Sequence, residues 1–87
     1  VSGRRSWPRR FVVSIHTRAG GTVRYRVVTW LSAEKAVAWA VFTHARRDAR
    51  DEAVVADVEV LDAGPAASNP DGTVLIDDGE LVDRFEF

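Results

Sequence analysis

Only one stretch of this 87-residue chain can form a long helix, and that limits how many layers it can build. The stretch is LSAEKAVAWAVFTHARRDAR, residues 31–50, rich in alanine and free of Gly and Pro. Ala33, Ala36, Val37, Ala40 and Val41 recur at three- and four-residue spacing, the mark of a helix with one buried stripe. Ser32 can cap its start by accepting an orphan backbone N–H. Glu34 in the first turn and Arg46, Arg47 and Arg50 at the far end suit the helix dipole. A helix of about 16 residues is expected, longer than average.

On either side the period changes to two. In RFVVSIHTR, Phe11, Val13, Ile15 and Thr17 alternate with Arg10, Val12, Ser14, His16 and Arg18. In TVRYRVVTW, Val23, Tyr25, Val27 and Thr29 alternate with Arg24, Arg26, Val28 and Trp30. The AGG between them supplies a tight reversal, so the two runs form a hairpin. AVVADVEVL after the helix is a third strand, with Val54, Ala56, Val58 and Val60 on one side and Val55, Asp57, Glu59 and Leu61 on the other. DAGPAASNPDG is rich in turn formers and reads as a loop; TVLID and LVDRFEF, joined by DGE, read as a last hairpin.

The order β-β-α-β-β-β predicts an α+β two-layer sandwich: one mostly antiparallel sheet with a single helix on one face. The crossover helix returns the third strand beside the first, running in the direction of the second. Residues 1–8 read as a basic arm and residues 9–87 as one domain. With only one helix, the second sheet face has no cover. Val12, Val28, Trp30, Val55 and Leu61 are expected there among charged residues, and such a mixed open face is a candidate binding surface.

The formal net charge of −1 conceals a division. Residues 1–50 hold eleven basic and two acidic side chains, a balance of +9, whereas residues 51–87 hold eleven acidic side chains against Arg84, a balance of −10. An asymmetry between halves points to an electrostatic role. The basic and aromatic set is Arg4, Arg5, Trp7, Arg9, Arg10, His16, Arg18, Arg24, Arg26 and Trp30. Guanidinium groups beside flat rings suit phosphates and bases, so a nucleic-acid-binding module is one reading. The carboxylates of Asp57, Glu59, Asp77, Asp78 and Glu80 form a counter-surface that opposes phosphate. They favour a module that docks on a protein or on its own twin, as a homodimer. Whether Arg24 and Arg26 meet Asp57 and Glu59 across the sheet, or face solvent with Trp30, separates the two readings. Trp39 and Phe42, three apart, are candidates for a helix-mediated interface if the alanine stripe takes the sheet.

The chemistry-bearing motifs are weak. There is no cysteine, which removes disulfides, thiolate metal sites and cysteine nucleophiles. NPDGTVLIDDGE invites a calcium-loop alignment, but Ala67 falls on the first ligand position and Pro70 lies inside. His44 and Asp48 share a helix face, as a general base with its orienter would, or as a structural pair near the helix C-terminus. No nucleophile elbow, P-loop or dinucleotide fingerprint occurs. No catalytic residue, metal or cofactor is expected. No apolar run reaches membrane-spanning length and the first residues lack a secretory leader's apolar stretch, so no membrane partner and a cytoplasmic location are expected.

Overall fold

The computed structural model describes residues 7–86; Arg4 and Arg5, and with them most of the arm, lie outside the described residues. The strands are β1 (Arg9–Thr17), β2 (Thr22–Thr29), β3 (Val55–Pro65), β4 (Thr73–Ile76) and β5 (Leu81–Arg84), with helix α1 (Ala33–Arg47) between β2 and β3. They form one antiparallel sheet in the order β3-β1-β2-β4-β5, with α1 across one face. This is the α+β two-layer sandwich that the alternation predicts.

The β1–β2 register pairs Phe11 with Val27, Val13 with Tyr25 and Ile15 with Val23. Paired residues share a face, so these side chains turn together toward α1. Ser32 caps α1 by accepting the Lys35 N–H at 3.3 Å. The stripe of Ala36 and Ala40 packs fully buried on the sheet, joining Phe11, Val13, Ile15, Tyr25, Val27 and Val74 in the core. Small alanines let the helix approach the strands closely, so the larger β-branched residues of β1 and β2 fill the space between the layers.

Two departures from simple alternation matter. Asp62–Pro65, expected as loop, belong to β3, where Asp62 pairs with Phe11 and Pro65 with Arg9 around a bulge. Gly64 sits at φ +94° and donates its N–H to the Asp62 carboxylate at 2.9 Å, which forms the bulge. Pro65 is tolerated because β3 is an edge strand. A second shift lies between His16 and Thr17, where Thr17 pairs with Val55. It inverts the parity of β3's first residues, and Val55, expected on the open face, packs instead against the core.

At the other edge Gly72 closes the sheet. It donates to the Val28 carbonyl at 2.8 Å and accepts from Phe85 N–H at 2.6 Å. Its φ of +86° and the Phe85 carbonyl pressed against its Cα leave no place for a Cβ.

Candidate docking face

The face of the sheet opposite α1 is built from the other parity of each strand. Reading across β3, β1 and β2, its rows are Asp57–His16–Thr22, Glu59–Ser14–Arg24 and Leu61–Val12–Arg26. The last row continues into Leu75 on β4 and Leu81 on β5. Among the described residues no helix covers these rows. Leu61 is 64% exposed and Leu81 53% exposed, while Val12 and Leu75 are half-buried and Val28 is buried. Acidic side chains thus lie on the β3 side of β1, arginines on the β2 side, and apolar groups between and beyond them.

Among the described residues the two charged halves of the chain meet at a few points, the nearby Arg50 and Glu52 at 3.6 Å being one. Arg9 Nε donates to Asp62 at 2.9 Å, and His16 Nε2 lies 2.9 Å from Glu59 while its Nδ1 lies 3.1 Å from the Thr22 hydroxyl. On the helix-covered side Arg46 reaches Asp83 of β5 at 2.7 Å. Arg10 donates to the Ala63 carbonyl at 2.9 Å. The Arg9 guanidinium, then the Gly64 N–H, hold the Asp62 carboxyl below the ordinary carboxylate range.

Neither Arg24 nor Arg26 meets Asp57 or Glu59; Arg24 faces solvent, though at the opposite end of the sheet from Trp30, whereas Arg26 follows neither expected course. β3 is the neighbour of β1, so Ser14 separates Arg24 from Glu59 and Val12 separates Arg26 from Leu61. Arg26 donates to the Asp77 carbonyl at 3.1 Å and the Ile76 carbonyl at 3.5 Å, under the β4–β5 turn. Its buried Nε has no partner among the described residues. Gly79, at φ +92°, lets that turn close, since a Cβ there would lie 3.3 Å from the Arg26 guanidinium. Arg24 is exposed and has no ion pair or side-chain hydrogen bond among the described residues, and Arg18 at the hairpin turn is likewise exposed.

The remaining expected site residues fall into separate places. Trp7 precedes β1 and Trp30 follows β2, so with Arg9 and Arg10 they mark one end of the sheet. His16, Arg18 and Arg24 mark the other. The acidic counter-surface divides too: Asp57 and Glu59 lie on β3, whereas Asp77, Asp78 and Glu80 lie in the turn between β4 and β5. Trp39 stacks on Phe85 with centroids 4.7 Å apart and packs against the core, so the chain's own last segment takes up part of the helix's apolar surplus. Phe42 stays 54% exposed under the Arg46 guanidinium, 5.3 Å from its ring centre.

His44 and Asp48 do not form a pair. His44 is buried, 2.7 Å from the Ala53 carbonyl through Nε2 and 2.9 Å from the Tyr25 hydroxyl through Nδ1. A carbonyl can only accept, so Nε2 carries a proton; in the neutral ring Nδ1 accepts from Tyr25 O–H. Burial holds the Tyr25 hydroxyl above its ordinary pKa, with Arg47 opposing. Asp48 turns outward to Arg50, which grips both carboxylate oxygens at 2.7 and 2.8 Å and draws its pKa down to about 2. The histidine is thus a structural tie joining α1, β2 and the turn at 51–53.

Leu75 and Leu81 are members of the open face that the alternation alone does not assign. Their placement depends on β4 pairing with β2 and on a register shift between Val74 and Leu75. Among the described residues no three His, Asp or Glu side chains are grouped to hold a metal ion. None of the described helices is long and apolar enough to cross a membrane. The chain matches no protein family, no curated protein and no solved structure.

Proposed function

We propose that this protein is a small non-enzymatic interaction module that self-associates through the helix-free face of its sheet. The observation that carries the reading is Leu61 standing 64% exposed on a face that also holds Arg24, which has no ion pair among the described residues. Exposed apolar side chains rimmed by charge are what a protein interface requires, and burying them would add stability that an 87-residue core supplies sparingly. The charges on this face are of both signs, which suits a protein surface and works against a polyanion.

Sedimentation velocity over a concentration series, at low and at high salt, tests the reading. The expected result is a sedimentation coefficient that rises with concentration and rises less in high salt. A strict monomer at high concentration and low salt overturns it.

A nucleic-acid reading has one observation in its favour: Trp7, Arg9, Arg10 and the exposed Trp30 gather at one end of the sheet. It requires a gel shift with random duplex or single-stranded nucleic acid that collapses as salt rises. Retention of free probe at low salt ends it.

A further inference from the structure

We infer that the partner on the open face is a second copy set by a two-fold axis running parallel to β1, so that Arg24 of each chain meets Glu59 of the other. The inference rests on the self-association reading and adds its geometry. The row Glu59–Ser14–Arg24 carries opposite charges on the two sides of a small residue. Neighbouring strands lie about 4.8 Å apart, so the two charged residues stand roughly one strand to either side of β1. Arg24 has no partner among the described residues. Rotation about an axis parallel to β1 exchanges the β3 side with the β2 side. It lays each acidic flank over a basic one and Val12 over its twin, and leaves Leu75 and Leu81 of β4 and β5 beyond the overlap.

The other simple axes fail on charge. An axis parallel to β2 opposes Arg24 to itself. An axis running across the strands through the Leu61–Val12–Arg26 row lays Arg24 over the partner's Val28, where no carboxylate answers it. With the axis along β1, Ser14 leaves room at the centre, and Leu61 faces the aliphatic stem of the partner's Arg26, whose guanidinium is already held by the turn carbonyls. Arg10 and His16, also on β1, are drawn off the axis toward β3 by the Ala63 carbonyl and Glu59. The natural twist between two packed sheets separates these ends further.

Charge reversal tests the register. Symmetry places two Arg24–Glu59 contacts in each dimer, so R24E or E59R turns two attractions into two repulsions. Each substitution alone should weaken dimerisation by at least about tenfold. An equimolar mixture of R24E and E59R should form a heterodimer as tight as the wild-type dimer, because each reversed side chain then faces its complement. The double variant R24E/E59R should recover the homodimer. Native mass spectrometry of the mixture, with one variant isotopically labelled, counts the heterodimer directly. Should a reversal disturb the fold, Arg24→Gln mixed with Glu59→Gln gives a milder version, expected to weaken each homodimer and to recover in part on mixing, because the mixed dimer keeps one of the two Arg24–Glu59 contacts and each homodimer keeps none. If the wild type dimerises but the reversed variants dimerise equally well, or their mixture gains nothing, this register is wrong and self-association stands. A monomeric wild type removes both.

Discussion

The two faces of the sheet come from the same strands and the same alternation, yet one is sealed and the other open. On the covered face Val13, Ile15, Tyr25 and Val27 have no solvent exposure, because the alanine stripe of α1 lets the helix settle onto them. On the open face apolar residues are interleaved with His16, Arg24, Arg26 and Glu59, and Leu61 projects into solvent. The covered face carries the larger share of apolar strand residues, Phe11, Val13, Ile15, Val23, Tyr25, Val27 and Val74 among them. With one α-helix among the described elements for two faces, the more apolar face takes it, and the mixed face is left open.

This contrast can be broken by substitution, starting where the effect is largest. Ile15→Ala, on the sealed face, should lower unfolding stability by about 2–5 kcal/mol in urea titration, since the side chain is fully enclosed and its cavity collapses only in part. Tyr25→Phe should cost about 1–3 kcal/mol in the same titration, because it leaves the buried Nδ1 of His44 without its donor. A loss no larger than that of an exposed hydroxyl would mean that the tie through His44 contributes nothing.

Acid should have a smaller effect. Asp48 has a folded pKa of about 2 against an ordinary 3.8. A depressed pKa means that its contribution is present above the ordinary value and is lost as pH falls toward 2. The melting-temperature difference between wild type and Asp48→Asn should therefore shrink across that window. Asp62, depressed by Arg9, acts in the same direction. Both carboxylates belong to exposed pairs, so each effect is small and falls with added salt. The smallest change in folding is expected at Leu61→Ser: within about 0.5 kcal/mol in dilute solution, where an exposed side chain supports little of the fold. The same variant should weaken self-association, and that divergence between folding and association sharpens the comparison of the two faces.

Much of this architecture is legible in local pattern. The period of two in residues 9–17 and 22–29 marks the first hairpin, and the Gly- and Pro-free alanine stripe after Ser32 marks the helix. Val55 shows where local reading stops. Its parity places it on the open face, and a bulge opposite His16 and Thr17 turns it inward, a consequence of how β1 and β3 fit together. Asp62–Pro65 show the same limit: turn-forming residues become strand because β1 extends far enough to pair with them. The arginines of β2 are a third case. Their side of the sheet is plain from alternation, but their neighbours depend on strand order, which puts Ser14 and Val12 between them and β3 and brings Arg26 under the turn at 77–80.

By itself the amino-acid sequence determined the elements, their order, the single helix and the division into a basic and an acidic half. These follow from residue-by-residue properties: side-chain periodicity, capping, backbone freedom and charge. Tertiary structure alone decided which charges meet. Arg9 finds Asp62, His16 finds Glu59 and Arg46 finds Asp83, while Arg24 is left alone among the described residues. Strand order and bulges set those partnerships, and both arise from packing between segments far apart in the chain.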